Sequence, residues 1–157
     1  MVTVNQKNLP DEVSKDVVLI YSDSGRVKRR LEAELIHKFI LDSNSYTLFP
    51  KGVFAQFYDK KGNVTFNLKA GYCKKFEDNE DLIFKKHVVI TNYKKETFIT
   101  EEIYLKGNKI YSDSTVYVKN STGILKGTSL EAPKDLSSWE IKNPTGVSSV
   151  EGFEGEK

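Results

Sequence analysis

The sequence predicts an all-β domain, and three observations support this prediction. Apolar and polar residues alternate along most of the chain, most clearly between residues 81 and 119, and a strand places successive side chains on opposite faces. Aromatic residues, which favour strands, make up 11% of the chain. Turn-forming residues recur at intervals of about eight to twelve residues. Short strands at this spacing are typical of a sandwich, a barrel or a jelly roll.

Length and charge narrow the class of protein. A chain of 157 residues is long enough for one domain with a substantial core. The net charge of +2 is too small to indicate nucleic-acid binding, so we predict no nucleic-acid partner. The sequence contains no stretch of about 18 uninterrupted apolar residues, as a membrane-spanning helix requires. If the protein is exported, we expect its targeting segment to lie outside this sequence.

Three segments are expected along the chain. Residues 1–15 are polar and without periodicity, and we expect a flexible lead-in. Residues 16–143 carry the alternating patterns and should form the single folded domain. Residues 144–157 lose the alternation and are rich in Gly, Ser and Glu, so we expect a disordered tail.

The segment 26–40 carries conflicting signals. Its Glu, Ala, Leu, Arg and Lys content favours a helix. However, Val27, Leu31, Ala33 and Leu35 share one parity of a strand, and the flanking segments have strand patterns. We predict a strand here, with a helix as the alternative.

The rest of the chain consists of short strand patterns separated by turns. The pattern around Val88 is repeated 28 residues later around Val116, which suggests a repeated strand unit. Segment 71–81 is predicted to be a connection. Predicted strands lie at residues 16–21, 53–58, 64–70, 82–90, 97–105, 110–118, 124–132 and 139–143.

The sequence contains no recognisable catalytic motif. It lacks a phosphate-binding Gly-rich loop, a CxxC pair, an HExxH helix and a GxSxG elbow. His37 and His87 are interpreted as solvated, and with one cysteine they make a poor set of metal ligands. Cys73 is alone, so no internal disulfide is possible, and no neighbouring base marks it as a nucleophile. We predict no catalytic residue, no metal site and no cofactor.

Paired carboxylates offer one enzymatic alternative. A glycosidase needs two carboxylates several ångströms apart across a cleft, and the pairs at 77–78 and 101–102 could supply them. Solvated strand faces explain these pairs more simply. An enzyme with an unrecognised site is therefore our last-ranked hypothesis.

Basic residues occur in short clusters. Lysines at turns and sheet edges protect against aggregation, whereas a functional interpretation is attraction to an anionic lipid headgroup or membrane surface. Both interpretations stay open at this point. The clusters lie at residues 28–30, 60–61, 74–75, 85–86 and 94–95.

The apolar face that alternate residues form along the strands is the strongest indication of function. In a closed sandwich this face fills the core, whereas in a jelly roll whose sheets splay apart it lines a groove. Because burial of each CH₂ is worth about 0.8 kcal/mol, such a groove could hold several acyl chains. Periodicity leaves both possibilities open.

An ordered set of short motifs suggests a family. The runs are DVVLIYSDSG, FPKGVFAQFYDKKGNV, LKA, HVVITN, FITEEIYL, IYSDSTVYV, GILKG and WEIKNPTGV. In this order and spacing, from about residue 16 to 147, the chain resembles the LptC family of lipopolysaccharide-export proteins. One departure is Ser129, where the family tends to have a glycine.

The resemblance implies a fold and a role. It implies a twisted open β-jelly-roll in the periplasm, tethered to the inner membrane by a segment outside this sequence. Such a domain takes lipopolysaccharide from an LptB/LptF/LptG-type ABC transporter and passes it to a periplasmic LptA-like partner by edge-to-edge β-augmentation. It hydrolyses nothing itself.

The parity and the resemblance together give candidate site residues. Residues expected to contact acyl chains are Leu31, Ala33, Val53, Phe57, Phe66, Leu68, Leu82, Phe84, Val88, Ile90, Ile99, Ile103, Leu105, Val116 and Val118. Residues expected to face protein partners are Val18 and Ile20 on the transporter side, and Gly127, Leu130 and Ile141 on the LptA-like side.

A second hypothesis is a closed β-sandwich that binds carbohydrate or another protein. Its signature would be a shallow patch of surface aromatic residues. Tyr93, Tyr104, Tyr111 and Tyr117 fall on the outward parity or in turns and could form such a patch.

Overall fold

The computed structural model describes residues 9–149, and within them the chain forms strands, turns and bends without a helix. The predicted all-β, jelly-roll-like class is confirmed, and residues 26–39 of the segment 26–40 form a strand. The strands are β1 (Glu12–Asp23), β2 (Arg26–Phe39), β3 (Tyr46–Phe49), β4 (Val53–Tyr58), β5 (Val64–Ala70), β6 (Tyr72–Phe76), β7 (Leu82–Asn92), β8 (Thr97–Lys106), β9 (Lys109–Ser112), β10 (Val116–Asn120), β11 (Gly123–Gly127), β12 (Leu130–Pro133), β13 (Glu140–Ile141) and β14 (Thr145–Val147).

All fourteen strands belong to one antiparallel sheet that folds into two facing layers. Three long strands span both layers, because each pairs with a different neighbour along each half. The first half of β2 pairs with β4 and its second half with β3. In the same way β7 pairs with β5 and β6, and β8 with β10 and β9. We call the layer of β4, β5, β10, β11 and β14 layer A, and the layer of β3, β6, β9, β12 and β13 layer B.

The spanning strands bend where they pass from one layer to the other. In β7 the bend is a bulge at Lys86 and His87, which both have positive φ (66° and 57°). Non-glycine residues in this region cost about 1–3 kcal/mol each and persist where the surrounding structure holds them. Here the N–H of Gly71, between β5 and β6, donates a hydrogen bond of 2.9 Å to the carbonyl of Lys86. Asp16 has the same conformation within β1 (φ 52°).

The pairing pattern reveals an internal repeat. Strands β1–β6 and β7–β12 follow one another in an equivalent way: two long strands are followed by one strand in layer B, a hairpin in layer A and one more strand in layer B. Strands β13 and β14 occupy the position of a further spanning strand, broken at Asn143 (φ 52°). The predicted 28-residue repeat is wrong, because Ile110 and Val116 lie in two short strands rather than in one long strand such as β7.

The repeat gives the molecule two long edges with different character. Connections between the layers and the bends of the spanning strands lie along one edge, which we call the hinge. Along the opposite edge, which we call the mouth, the free ends of the two layers face each other. The mouth is formed by the hairpin turns of layer A, at residues 24–25, 59–63, 93–96 and 121–122, and by the connections of layer B, at residues 40–45, 77–81, 107–108 and 134–139.

One hydrophobic core lies between the layers. The bends shift the inward parity of the spanning strands, so the sequence alternation holds only within each half. In β2 the core residues are Leu31 and then Ile36, rather than Leu35. In β8 they are Phe98 and then Ile103.

Some segment boundaries differ from the sequence expectation. The segment 71–81, expected to be a connection, contains β6, whose pairs with β3 and β7 are not visible in local alternation. Residues 12–15 of the expected lead-in belong to β1, and residues 145–147 of the expected tail form β14. Residues 1–8 and 150–157 of those two expected segments lie outside the described residues.

Candidate lipid-binding site

The residues predicted to contact acyl chains come together between the layers. Thirteen of the fifteen belong to the core cluster: Leu31, Val53, Phe57, Phe66, Leu68, Leu82, Phe84, Val88, Ile90, Ile103, Leu105, Val116 and Val118. Ala33 packs against this cluster and is partly exposed. Ile99 is buried but lies outside it, because its neighbour Phe98 takes the inward position.

Side chains fill the space between the layers. Each of those thirteen residues is at most 9% exposed. The two layers are therefore in contact, and an acyl chain would need them to separate. Sequence reasoning missed several members of this cluster, notably Phe49, Phe98 and Leu136. The parity shift hid Phe98, and Leu136 lies in a segment without periodicity.

The first repeat is closed at the mouth by the loop between β6 and β7. A guanidinium nitrogen of Arg29, in layer A, donates a hydrogen bond of 3.0 Å to the carbonyl oxygen of Glu80. The ammonium of Lys28 lies 3.3 Å from the carboxylate of the same residue. We call these contacts of Lys28, Arg29 and Glu80 the first clasp.

The second repeat is closed at the equivalent place by segment 134–139. The indole N–H of Trp139 donates a hydrogen bond of 3.1 Å to the carboxylate of Glu96. The side-chain amide of Asn92 donates to the carbonyl of Leu136 over 3.2 Å, and Leu136 itself is fully buried. The Trp139 ring meets Phe98 edge to face, with centroids 5.7 Å apart. We call these contacts the second clasp.

Two cations lie inside the mouth of the first repeat. Arg29 and Lys75 are 7% and 4% exposed, and both lie over the ring of Tyr21, at 4.5 and 4.9 Å from its centroid. Burial lowers the pKa of Arg29, and its Nε has no hydrogen-bond partner among residues 9–149. The sequence analysis assigned both residues to surface clusters, and this assignment is wrong for them. Arg29 points inward with Leu31 on β2, and Lys75 points inward with Cys73 on β6.

Glu77 neutralises Lys75. One of its carboxylate oxygens accepts hydrogen bonds of 2.8 Å from the Lys75 ammonium and from the Thr47 hydroxyl. Partial burial favours the neutral acid, but these two bonds outweigh it and lower the pKa of Glu77. The charged pair joins β6 to the loop that follows it, and the Thr47 hydroxyl connects this loop to β3 beside the first clasp.

The residues considered for catalysis are dispersed. Cys73 is fully buried, and this burial raises its pKa, so it is not an activated thiol. His87 is exposed at the hinge, 4.0 Å from Glu101. Within residues 9–149 no group of three or more His, Cys, Asp or Glu side chains could hold a metal ion.

The four surface tyrosines do not form one patch. Tyr104 and Tyr111 stack on the outer face of layer B, with ring centroids 5.1 Å apart. A hydrogen bond from the Tyr104 hydroxyl to Glu102 raises the pKa of Tyr104. Tyr93 lies in the turn between β7 and β8, and Tyr117 lies on β10 in layer A.

The predicted partner residues lie at the two ends of the sheet. Val18 and Ile20 are 46% and 58% exposed on β1, a strand that pairs only with β2 among the described residues. At the other end Ile141 covers Gly127, where an added Cβ would approach the Ile141 Cβ to 2.7 Å. Leu130 is 1% exposed and belongs to the core, so its side chain is not on the surface.

Fold and site together define the class of protein: an all-β, jelly-roll-like domain with an apolar layer enclosed between two halves of one sheet. The family model described as "Lipopolysaccharide-assembly, LptC-related" matches residues 2–147, and the chain belongs to this family. The family acts in lipopolysaccharide transport in the periplasm and is not a known enzyme family. A comparison with curated proteins found no match. Among residues 9–149, no helix is long and apolar enough to cross a bilayer.

Proposed function

We propose that this domain is a non-enzymatic lipid-transfer component of a lipopolysaccharide bridge. It takes lipopolysaccharide from an LptB/LptF/LptG-type ABC transporter in the inner membrane and passes it to a periplasmic LptA-like partner. The observation that supports this role is the continuous apolar layer, whose members come from strands of both repeats. Together with family membership, it favours a carrier of acyl chains.

Acyl chains enter this layer through the mouth. At the hinge the backbone of the spanning strands joins the layers, whereas at the mouth side-chain contacts between turns and loops hold them, polar at both clasps and also apolar at the second. Polar contacts of this kind contribute about 0.5–1.5 kcal/mol each. Separation of the layers exposes apolar side chains to water. Acyl chains that enter between the layers cover these side chains again and so restore the lost apolar burial.

The two ends of the sheet provide the protein contacts. Strand β1 presents an edge without a partner in residues 9–149 and carries exposed Val18 and Ile20. It faces the transporter. Strands β13 and β14 end the sheet at the opposite side and receive the LptA-like partner. In both cases an added strand satisfies backbone groups that an edge leaves open. The domain is held at the inner membrane.

Site-specific photo-crosslinking tests this function. A crosslinker replaces Val88, Val116 or Leu105, which lie between the layers, and replaces Tyr117 as a control on the outer face. With acylated glycolipid present, we expect adducts at the three inner positions and none at Tyr117. Adducts at no position would favour a closed sandwich that binds carbohydrate or protein, and adducts at Tyr117 alone would place the lipid on the surface.

A further inference from the structure

The topology brings four hairpin turns of layer A to one edge of the mouth. They are the β1–β2, β4–β5, β7–β8 and β10–β11 turns, and they follow one another along the sheet in this order. Adjacent turns are separated by two strands, which corresponds to about 10 Å. The four turns therefore form a row about 30 Å long, which we call the rim.

The rim is rich in basic residues. Seven lie in or beside the four turns: Arg26, Lys28, Lys60, Lys61, Lys94, Lys95 and Lys119. Three acidic residues lie there, Asp23, Asp59 and Glu96, while the whole chain carries a net charge of only +2. The opposite lip, at residues 77–81, is acidic. Basic charge is therefore concentrated on one side of the mouth.

Several of these cations are available for a ligand. Arg26, Lys60, Lys61 and Lys95 are exposed, and none forms an ion pair within 4 Å in the described part of the chain. The acids beside them serve the protein itself. An Asp59 carboxylate oxygen accepts hydrogen bonds of 2.8 and 2.9 Å from the backbone of its own turn, and Glu96 accepts those of Asn92 and Trp139.

The remaining basic clusters lie elsewhere. Lys86 is at the hinge, and Lys74 is on the outer face of layer B, over the rings of Tyr46 and Phe76. The clusters at residues 60–61 and 94–95 lie in one row with Arg26, Lys28 and Lys119. Folding therefore brings some basic residues together on the rim and leaves the others dispersed over the surface.

We propose that the rim binds the phosphate groups of an anionic glycolipid headgroup while its acyl chains lie between the layers. This proposal rests on the proposed function for the acyl chains, and the rim adds the site for the polar end. Several ammonium groups about 10 Å apart suit a headgroup with more than one phosphate, because separate phosphates can meet separate cations. The hydrogen bond from an ammonium to a phosphate is charge-assisted, and such bonds are the strongest that lysine makes.

The rim also connects headgroup binding to the first clasp. Lys28 pairs with Glu80 across the mouth at 3.3 Å. A phosphate at the rim competes with this carboxylate for the same ammonium. Headgroup binding thereby weakens a contact that keeps the layers together.

The test uses a bisphosphorylated glucosamine disaccharide without acyl chains, titrated into ¹⁵N-labelled protein. The control ligand is the same disaccharide without phosphates. The rim variant carries Arg26→Gln, Lys60→Gln, Lys61→Gln and Lys95→Gln. The matched control variant loses the same charge away from the rim, through Lys51→Gln, Lys69→Gln, Lys85→Gln and Lys126→Gln. Thermal melting confirms that both variants fold.

We expect the phosphorylated ligand to shift the amide signals of Gly62 and Lys95, and the unphosphorylated one to leave them unchanged. The rim variant should bind at least tenfold more weakly, and the control variant within twofold of the parent. Equal shifts from both ligands, or equal losses in both variants, would overturn the proposal.

A second arm uses vesicles of phosphatidylglycerol. If the rim signals respond to vesicles and not to the disaccharide, the rim is a membrane-contact surface and the proposal is wrong. The disaccharide has no acyl chains, so its result is independent of crosslinking at Val88. Binding at the rim without acyl adducts would contradict the lipid bridge and leave the phosphate site supported.

Discussion

The guanidinium of Arg29, on β2, donates a hydrogen bond of 3.0 Å to the carbonyl oxygen of Glu80, in the loop between β6 and β7. This bond crosses the mouth from layer A to layer B. Arg29 is 7% exposed, and its Nε has no hydrogen-bond partner in the part of the chain that the structure describes. Burial of a charge with an unsatisfied donor is costly. Because Arg29 lies where the first repeat closes, we infer that the first clasp serves the opening and closing of the mouth rather than the stability of the fold.

The first prediction concerns this clasp. Arg29→Met removes the bond to Glu80 together with the cost of burying the charge, so global stability should change by less than about 1 kcal/mol. The loop 77–81 should lose protection, with amide hydrogen exchange at least fivefold faster, because exchange reports local opening. Arg30→Met is the control, since Arg30 pairs with Glu32 away from the mouth. Unchanged exchange in the Arg29 variant would contradict the clasp.

The second prediction concerns Glu77. Glu77→Gln leaves the Lys75 ammonium, whose side chain is 5% exposed, without its counter-charge, and should cost about 1–2 kcal/mol at pH 7. Urea unfolding measures this difference. Glu34→Gln removes an exposed carboxylate that pairs with Lys51, and it should cost less than about 0.5 kcal/mol.

The cost of Glu77→Gln should depend on pH with a defined sign. The pKa of Glu77 is lower in the folded state than its unfolded value of about 4.3. Its charge therefore stabilises the fold fully above that value and loses this effect as pH falls through the folded pKa. The difference between parent and variant should be constant from pH 7 to 5 and shrink below about pH 4. A difference that grows in acid would be the opposite of this expectation.

The third prediction compares two neighbours on β10. Val116 is fully buried between the layers, whereas Tyr117 lies on the outer face. Val116→Arg should destabilise the domain by several kcal/mol, because it places an unpaired charge in the core. Tyr117→Arg should cost less than about 1 kcal/mol. Thermal melting checks both, and equal losses would show that the assignment of faces is wrong.

The fourth prediction concerns the end of the sheet at β13. An added Cβ at Gly127 would lie 2.7 Å from the Ile141 Cβ, so Gly127→Ala must displace β13. We expect faster hydrogen exchange in residues 140–147 and a loss of about 1–3 kcal/mol. Gly146→Ala is the matched control on β14, because no atom of the described residues lies within 4 Å of its added Cβ. Full protection of residues 140–147 in the Gly127 variant would contradict this account.

Local alternation predicted most of the inner face, including Leu68, Ile90 and Val118, because side-chain direction has a period of two within any straight strand. It failed where strands bend. Ile36 lies after the bend of β2 and Phe98 lies before the bend of β8, so each has the inward parity of its own half of the strand. Ile99, one residue after Phe98, was assigned to the wrong face for this reason.

The buried cations could not be predicted from the sequence. Lys75 follows Lys74, and Arg29 lies between Lys28 and Arg30, so each belonged to a run of surface charge. In the structure both side chains point inward, and both lie over the ring of Tyr21. The partners of these cations, Glu77 and the Glu80 carbonyl, lie in a loop whose path depends on tertiary contacts.

The sequence by itself determined the all-β class, the strand at 26–39, the apolar set and the family resemblance, because these follow from side-chain periodicity, turn residues and ordered motifs. Only the tertiary structure decided the two-layer arrangement, the internal repeat, the clasps and the basic rim. These depend on which strands pair and where the spanning strands bend. Positions such as Arg26, Lys60 and Lys95 are far apart in the chain, and long-range pairing brings them to the same edge.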